Sequence, residues 1–211
     1  KRLMKSIIDE IHLDLKIYSP SWVLARISAA KSRLISVQEY LDSTEIQTAD
    51  REANRPETGI LYKIYQDRLF RSQAMDFDDL LFNMNRILQT FPEILFKYQN
   101  RFRNILVDEY QDTNFSQYII IKQLAARFEN ICVVGDDAQS IYSFRGANIQ
   151  NIFNFKNDYP DYKVFKLEQN YRSTKIIVEA ANKVIANNRE QIYKKVWTDN
   201  EAGEKIKIIR A

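Results

Sequence analysis

The sequence predicts an α/β fold in which a parallel sheet flanked by helices is joined to an all-helical segment. Three observations carry that prediction. From Asn104 onward, short apolar runs alternate with stretches of helical period, the order that builds a parallel sheet through crossover connections. Each run empties into a polar loop: ILVDEYQDTN from Ile105, ICVVGDDAQSIYSFRGA from Ile131 and YKVFKLEQNYRST from Tyr162. Residues 1 to about 75, by contrast, show helical spacing and no strand pattern.

Taken in order, Leu3, Ile7, Ile8, Ile11 and Leu15 recur at helical spacing until Ser19-Pro20 breaks the pattern. A second amphipathic stretch covers Trp22 to Ile35. Residues 42 to 58 are polar and without period, which predicts a loop or short turns. Pro56 then suits the start of a helix that Leu61, Ile64, Tyr65 and Leu69 continue. Arg26, Lys31 and Arg33 are dispersed cations through which this region would touch nucleic acid; a small bundle without a site is the plainer reading. At Asp76 an acid three residues ahead of Asp79 resembles a capping box. Phe77, Leu80, Leu81, Met84, Leu88 and Phe91 form one apolar face before Pro92. The acids there read as cap and dipole chemistry in preference to metal binding. Further on, strands are expected at the three apolar runs, buried as short apolar runs usually are. Asn114, Asn148 and Ser173 are the expected caps of the helices between and after them. Residues 193 to 198 and 205 to 209 flank Gly203 and read as a hairpin.

Composition narrows the chemistry. His12 is the only histidine and Cys132 the only cysteine, which excludes Cys/His zinc sites, Ser-His-Asp triads and disulfides. The net charge of +3 permits a nucleic-acid partner without demanding one. No run of about 18 apolar residues marks a membrane span, and acids interrupt the basic N-terminus, so no signal peptide is expected and a cytoplasmic location is. Position 1 is Lys, as in an excised fragment.

The site expected from these residues lies at the strand ends, where open α/β sheets place ligands. Asp108 and Glu109 are adjacent carboxylates that repel unless a cation compensates them, which suits Mg²⁺ with a nucleotide. After the second run, Gln139 offers an amide that both donates and accepts, followed by Tyr142, Phe144 and Arg145. Two aromatics beside an arginine suit stacking on unpaired bases, worth about 1–3 kcal/mol per base, or packing beneath the loop. After the third run, Arg172 sits where it can reach a transferring phosphoryl group or pair with Glu168. Tyr171 beside it can stack on a base.

Together the three strings resemble the UvrD/Rep/PcrA family of superfamily 1 DNA helicases. ILVDEYQDTN is similar to that family's Walker B motif, GDDAQSIYSFRGA to its motif III and LEQNYRST to its motif IV; MDFDDLL is similar to the segment that returns the chain to the ATPase domain. The resemblance implies a P-loop NTPase architecture. Residues 1–75 would be the helical 1B insertion, 76–175 the second half of RecA-like domain 1A, and 176–211 the start of domain 2A. It implies ATP and Mg²⁺ as cofactors. Asp108 would ligate Mg²⁺, Glu109 activate the attacking water, Gln139 sense the γ-phosphate, Tyr171 stack on adenine and Arg172 contact the γ-phosphate. Tyr142, Phe144 and Arg145 would lie along single-stranded DNA. Single strands and DNA junctions are the implied partners, with 3′-to-5′ movement and no membrane. Two departures stand out: many members carry Asp-Ala-Asp-Gln where this chain has Asp136-Asp137-Ala138-Gln139, and many carry Trp at Phe144.

The four glycines, Gly59, Gly135, Gly146 and Gly203, form no G-x-x-x-x-G-K-S/T phosphate loop. The phosphate-loop segment and a second motor domain are therefore expected elsewhere in a longer chain, and these 211 residues are expected to be inactive on their own. A non-enzymatic module that binds single strands through Tyr142, Phe144 and Arg145 is the alternative. A two-metal nuclease built on Asp108, Glu109, Asp136 and Asp137 explains the acids but leaves Gln139, Tyr171 and Arg172 without a task.

Overall fold

In a computed structural model, which describes residues 1–142, 148–188 and 191–209, the N-terminal part is helical. It comprises α1 (Arg2–Glu10), α2 (Pro20–Ser32), α3 (Val37–Asp42), α4 (Thr44–Glu52) and α5 (Thr58–Arg71). The apolar positions that set the helical period meet in one core: Met4, Ile7, Ile8, Val23, Ile27, Leu61 and Leu69. Tyr40 and Tyr62 join it edge to face, ring centroids 5.7 Å apart, an arrangement that aligns ring edge with ring face. Helix α4 replaces the loop expected over 42–58. Its periodicity is hidden because a carboxylate fills its inward position: Asp50 is buried, accepts from the Tyr40 hydroxyl at 2.7 Å and pairs with Arg26 at 3.2 Å. Ser43 caps it through Ile46 N.

Helix α6 (Phe77–Thr90) begins with the expected capping box. Asp76 accepts from Asp79 N at 2.8 Å while Asp79 accepts from Asp76 N at 3.1 Å. Lys31 of α2 is buried against this helix start, 2.8 Å from both Asp76 and Asp79. Burial would raise the Asp76 carboxyl, but Lys31, the Asp79 main-chain N–H and the Tyr65 hydroxyl together hold it below the ordinary range. Lys31 is thus an internal countercharge, which removes it from any nucleic-acid surface. The apolar face expected on α6 is only partly buried: Leu88 is covered, whereas Phe77, Leu80, Met84 and Phe91 are exposed. Asn85 shares the covered side and donates to Ser116 O at 2.9 Å.

After α7 (Pro92–Arg101), β1 (Ile105–Val107) and β2 (Ile131–Val133) pair in parallel, with Leu106 opposite Cys132. Helix α8 (Phe115–Ala125) connects them. It starts at the expected Asn114, in a capping box with Gln117. The strands are less covered than expected: Leu106 is 79% exposed and Cys132 is also exposed, because no layer of the described residues lies on that face.

Two expected elements do not form among the described residues. Residues 162–168 form no strand among the described residues, and Val164, Phe165 and Leu167 are exposed. The C-terminal hairpin is also missing. Instead Trp197 bridges Gln169 in parallel, with Trp197 N donating to Glu168 O at 2.9 Å and Asn170 N to Trp197 O at 2.7 Å. A lone two-stranded hairpin is marginal in water, and here residues 197–202 pair with other parts of the chain instead. The carbonyls of Glu201 and Ala202 accept from Lys175 N and Ile176 N at the start of α10 (Lys175–Ile185). Those bonds take the place of the expected Ser173 cap; the residue before α10 is Thr174, whose side chain caps nothing. Asn148 does accept from Gln150 N at 3.0 Å at the start of α9 (Gln150–Asp158), although Ile149 occupies the N-cap position.

Candidate functional site

The first loop of the site is set by backbone geometry at the end of β1. Tyr110 N donates to Val134 O at 2.9 Å, extending the sheet contact one step past the strands. Between them Glu109 adopts a left-handed conformation, φ 51° and ψ 40°. That region is uncommon for a residue with a Cβ and is concentrated at functional turns. It turns the chain into a tight 3-10 turn over Tyr110–Asp112. Tyr110 anchors the turn: its ring is buried and packs edge to face on Phe155 of α9 at 6.0 Å. Asn151 of α9 secures the turn's exit by donating to Thr113 O at 3.0 Å.

Gln111, which follows the Asp108-Glu109 pair in the motif but has no role of its own in the sequence, is the residue that joins the loops. It is fully buried. Its Nε2 donates to Glu109 Oε2 at 2.7 Å, and its Oε1 accepts from Asp136 N at 3.0 Å. One side chain therefore ties the Glu109 carboxylate to the main chain beyond β2. Gly135 is required for that fit by space: a Cβ there would lie 2.8 Å from Gln111 Oε1 and 3.0 Å from Ile152 Cδ1.

On the second loop, Asp136 Oδ2 accepts from Gln139 Nε2 at 2.7 Å, and Asp136 Oδ1 accepts from Ala138 N at 3.0 Å. Lys194 contacts both Asp136 and Asp137. Burial would raise the Asp136 carboxyl, yet Lys194 and Gln139 hold it below its ordinary range. Burial likewise disfavours the Lys194 charge, and the two carboxylates more than compensate, raising its pKa.

The third loop is shaped by Asn170, whose Oδ1 accepts from Arg172 N at 2.9 Å and Ser173 N at 2.8 Å. Asn200 braces it from the other side through Ser173 O at 3.0 Å. Tyr171 is 78% exposed, its hydroxyl donating to Gln169 Oε1 at 2.7 Å. Arg172 is exposed, and among the described residues no ion pair joins it to Glu168, whose carboxylate accepts from Lys195 N instead.

Gln139, Gln169, Asn170, Tyr171 and Arg172 line one open cleft of about 520 Å³. The structure thus brings the expected amide, aromatic and arginine together. Asp108 and Glu109 stand outside the lining; Glu109 reaches Gln139 through the chain Glu109–Gln111–Asp136–Gln139. Tyr142 is partly exposed beyond the second loop. Phe144 and Arg145, expected beside it, lie outside the described residues.

The family model of the UvrD/REP helicase N-terminal domain matches residues 1–160, and that of the UvrD-like helicase C-terminal domain matches residues 165–211. The chain belongs to the UvrD/REP helicase family. Relatives within it include proteins named ATP-dependent DNA helicase PcrA. That of Leuconostoc citreum is 44% identical over 211 residues, that of Bacillus subtilis 45% over 208, and that of Staphylococcus epidermidis 44% over 214. These matches cover 99–100% of this chain but only 27–28% of the relatives. The chain therefore spans just over a quarter of their length. No helix among the described residues of this UvrD/REP-family chain is long and apolar enough to cross a membrane.

The acids at the end of β1 are of the type that a magnesium ion would take. Among the described residues no group of three His, Cys, Asp or Glu side chains forms a self-sufficient metal cage. Mg²⁺ needs none, since it keeps waters and takes one or two carboxylates together with phosphate oxygens. Asp108 is exposed and would supply such a carboxylate, while Asp112 Oδ1 is buried with no hydrogen-bond partner among the described residues.

Proposed function

We propose that this chain is part of an ATP-dependent DNA helicase or translocase that moves 3′ to 5′ on single-stranded DNA. The observation that carries the reading is the hydrogen-bonded chain from Glu109 through Gln111 and Asp136 to Gln139, which ends in the cleft shared with Tyr171 and Arg172. In this reading residues 1–75 are the 1B-like insertion, 76–175 the second half of motor domain 1A, and 176–211 the start of domain 2A. The 3-10 turn after β1 fixes Glu109 to accept a proton from the attacking water. The Gln139 amide donates to the γ-phosphate, and the exposed Arg172 guanidinium meets charge developing on the transferring phosphoryl group. The open ring of Tyr171 stacks on the base. Asp108 would hold Mg²⁺, which when bound neutralises charge on phosphate oxygens. Tyr142, with Phe144 and Arg145, contacts the strand on which the protein moves, including strands at junctions. The protein works in the cytoplasm.

The 211 residues contain no G-x-x-x-x-G-K-S/T, so on their own they hydrolyse no ATP. Full activity needs the phosphate-loop segment and second motor domain of a longer chain. The test is Glu109→Gln in the full-length protein. Turnover should fall by about 10²–10⁴, the usual share of a positioned base, with nucleotide binding retained. Arg172→Ala should lower kcat by about 10³ or more. A module that only binds single strands predicts no turnover to lose and DNA binding unchanged by either substitution.

A further inference from the structure

The exchange of order at Asp137-Ala138 acquires a meaning from its surroundings. Asp137 is buried. Its Oδ2 accepts from Ile192 N at 2.9 Å and its Oδ1 from Lys194 Nζ at 2.8 Å. Lys194 also contacts Asp136, the carboxylate that orients Gln139. An aspartate at position 137 thus supplies both the second charge for Lys194 and the acceptor for the backbone beside it.

The stretch that carries Lys194 continues directly into the strand-like contact that holds the third loop. Lys195 N donates to Glu168 Oε1 at 3.0 Å, Trp197 N to Glu168 O at 2.9 Å, and Asn170 N to Trp197 O at 2.7 Å. Asn170 in turn shapes the turn that presents Tyr171 and Arg172. One wall of the cleft, Gln139, and the other, Arg172, are therefore both fastened to residues 192–197. Lys194 contributes the charged contact on the Gln139 side.

We propose that Lys194 is a positioning residue which, clamped between Asp136 and Asp137, sets the placement of Gln139 relative to Arg172 across the cleft. Its catalytic consequence rests on the motor reading above; the clamp itself does not. Lys194 touches no nucleotide in this scheme. It acts by holding the Asp136 carboxylate, which holds the Gln139 amide, while its own main chain leads to the partner of the third loop.

The test uses the full-length protein with Lys194→Met, Lys194→Arg and the milder Asp137→Asn, which keeps an acceptor for Ile192 N. Backbone hydrogen exchange over residues 191–197 and ATPase kinetics are measured on each. Loss of charge-assisted hydrogen bonds should speed exchange in Lys194→Met by about tenfold or more. kcat should fall by about tenfold, with KM for ATP moving less than about threefold, since the lost placement is felt at the transferring phosphoryl group. Lys194→Arg should restore both, because a guanidinium can also bridge two carboxylates. Asp137→Asn should shift both in the same direction as Lys194→Met. If Lys194→Met does not fold, Asp137→Asn decides by the same two readouts. Unchanged exchange overturns the clamp, and faster exchange with unchanged kcat overturns its positioning role. Absence of ATPase activity in the unaltered protein refutes the motor reading instead, and exchange still decides whether the clamp exists.

Discussion

Gln111→Leu removes the one side chain that ties the two strand-end loops together. Two hydrogen bonds go with it: the charge-assisted donation to Glu109 at 2.7 Å and the acceptance from Asp136 N at 3.0 Å. A bond to a charged group is worth about 1.5–3 kcal/mol, and an N–H left without a partner costs about 1–3 kcal/mol when fully buried, towards the lower end for the half-buried Asp136 N. Against this, Glu109 is exposed and regains water, and leucine fills the volume without a polar group to satisfy. The net loss should be about 2–4 kcal/mol. For a chain of this size about 1 kcal/mol moves Tm by ~2–4 °C, so thermal unfolding of the 211-residue chain followed by circular dichroism should shift down by roughly 4–16 °C. In the full-length protein the same substitution should lower kcat, because Glu109 loses the contact that fixes its carboxylate. A Tm within about 1 °C of the unaltered chain would refute the claim that Gln111 joins the loops.

Three further outcomes follow from the same geometry. Gly135→Ala places a Cβ against Gln111 Oε1 and Ile152 Cδ1 and should destabilise the chain by about 1–3 kcal/mol, as overpacking does, in urea unfolding. Lys31→Met leaves Asp76 and the buried Asp79 without their countercharge, a loss of about 3 kcal/mol or more, measurable in the same titration. The contact between Lys194 and Asp136 should be insensitive to pH across the neutral range. The depressed Asp136 pKa makes its contribution present above the unfolded value of about 3.9 and lost as pH falls through the folded value. The raised Lys194 pKa makes its contribution present below about 10.4 and lost as pH rises through the folded value. Protection of the Ile192 amide, corrected for intrinsic exchange, should be flat from about pH 5 to 9 and drop at the acid end; Asp136→Asn should weaken protection within the flat region itself.

What the sequence made legible is what neighbours in the chain decide. The capping box at Asp76/Asp79 and the cap at Asn114 depend on residues close in the chain, and both form; the structure adds Gln117 as the reciprocal partner of Asn114. The strands at Ile105 and Ile131 announce themselves as apolar runs bounded by polar loops, and they pair in parallel. The run from Tyr162 looks much the same, but pairing depends on partners that local pattern cannot specify, and only Gln169 finds one. Polar burial concealed other features. Asp50 fills an inward position of α4 and Lys31 one of α2, so the polar pattern of α4 predicts a loop or short turns, and Lys31 counts only among dispersed cations. In the site, Tyr171, Arg172 and Gln139 were picked out by residue type and position at run ends, and they share a cleft. Gln111 stands in the motif without a role and Lys194 goes unmarked, because the importance of both lies in contacts with Asp136 and Asp137 across the fold. The available signal was a neutral amide, Gln111, set between the acids Glu109 and Asp112.

The most direct test of the central claim is a crystal structure of the full-length protein with Mg²⁺ and a non-hydrolysable ATP analogue. The Glu109 carboxylate should face the water in line with the γ-phosphate, with Gln139 Nε2 and the Arg172 guanidinium within hydrogen-bonding reach of γ-phosphate oxygens and Tyr171 on the adenine. A nucleotide bound away from these loops, or one that leaves Glu109, Gln139 and Arg172 directed at separate surfaces, would contradict the account.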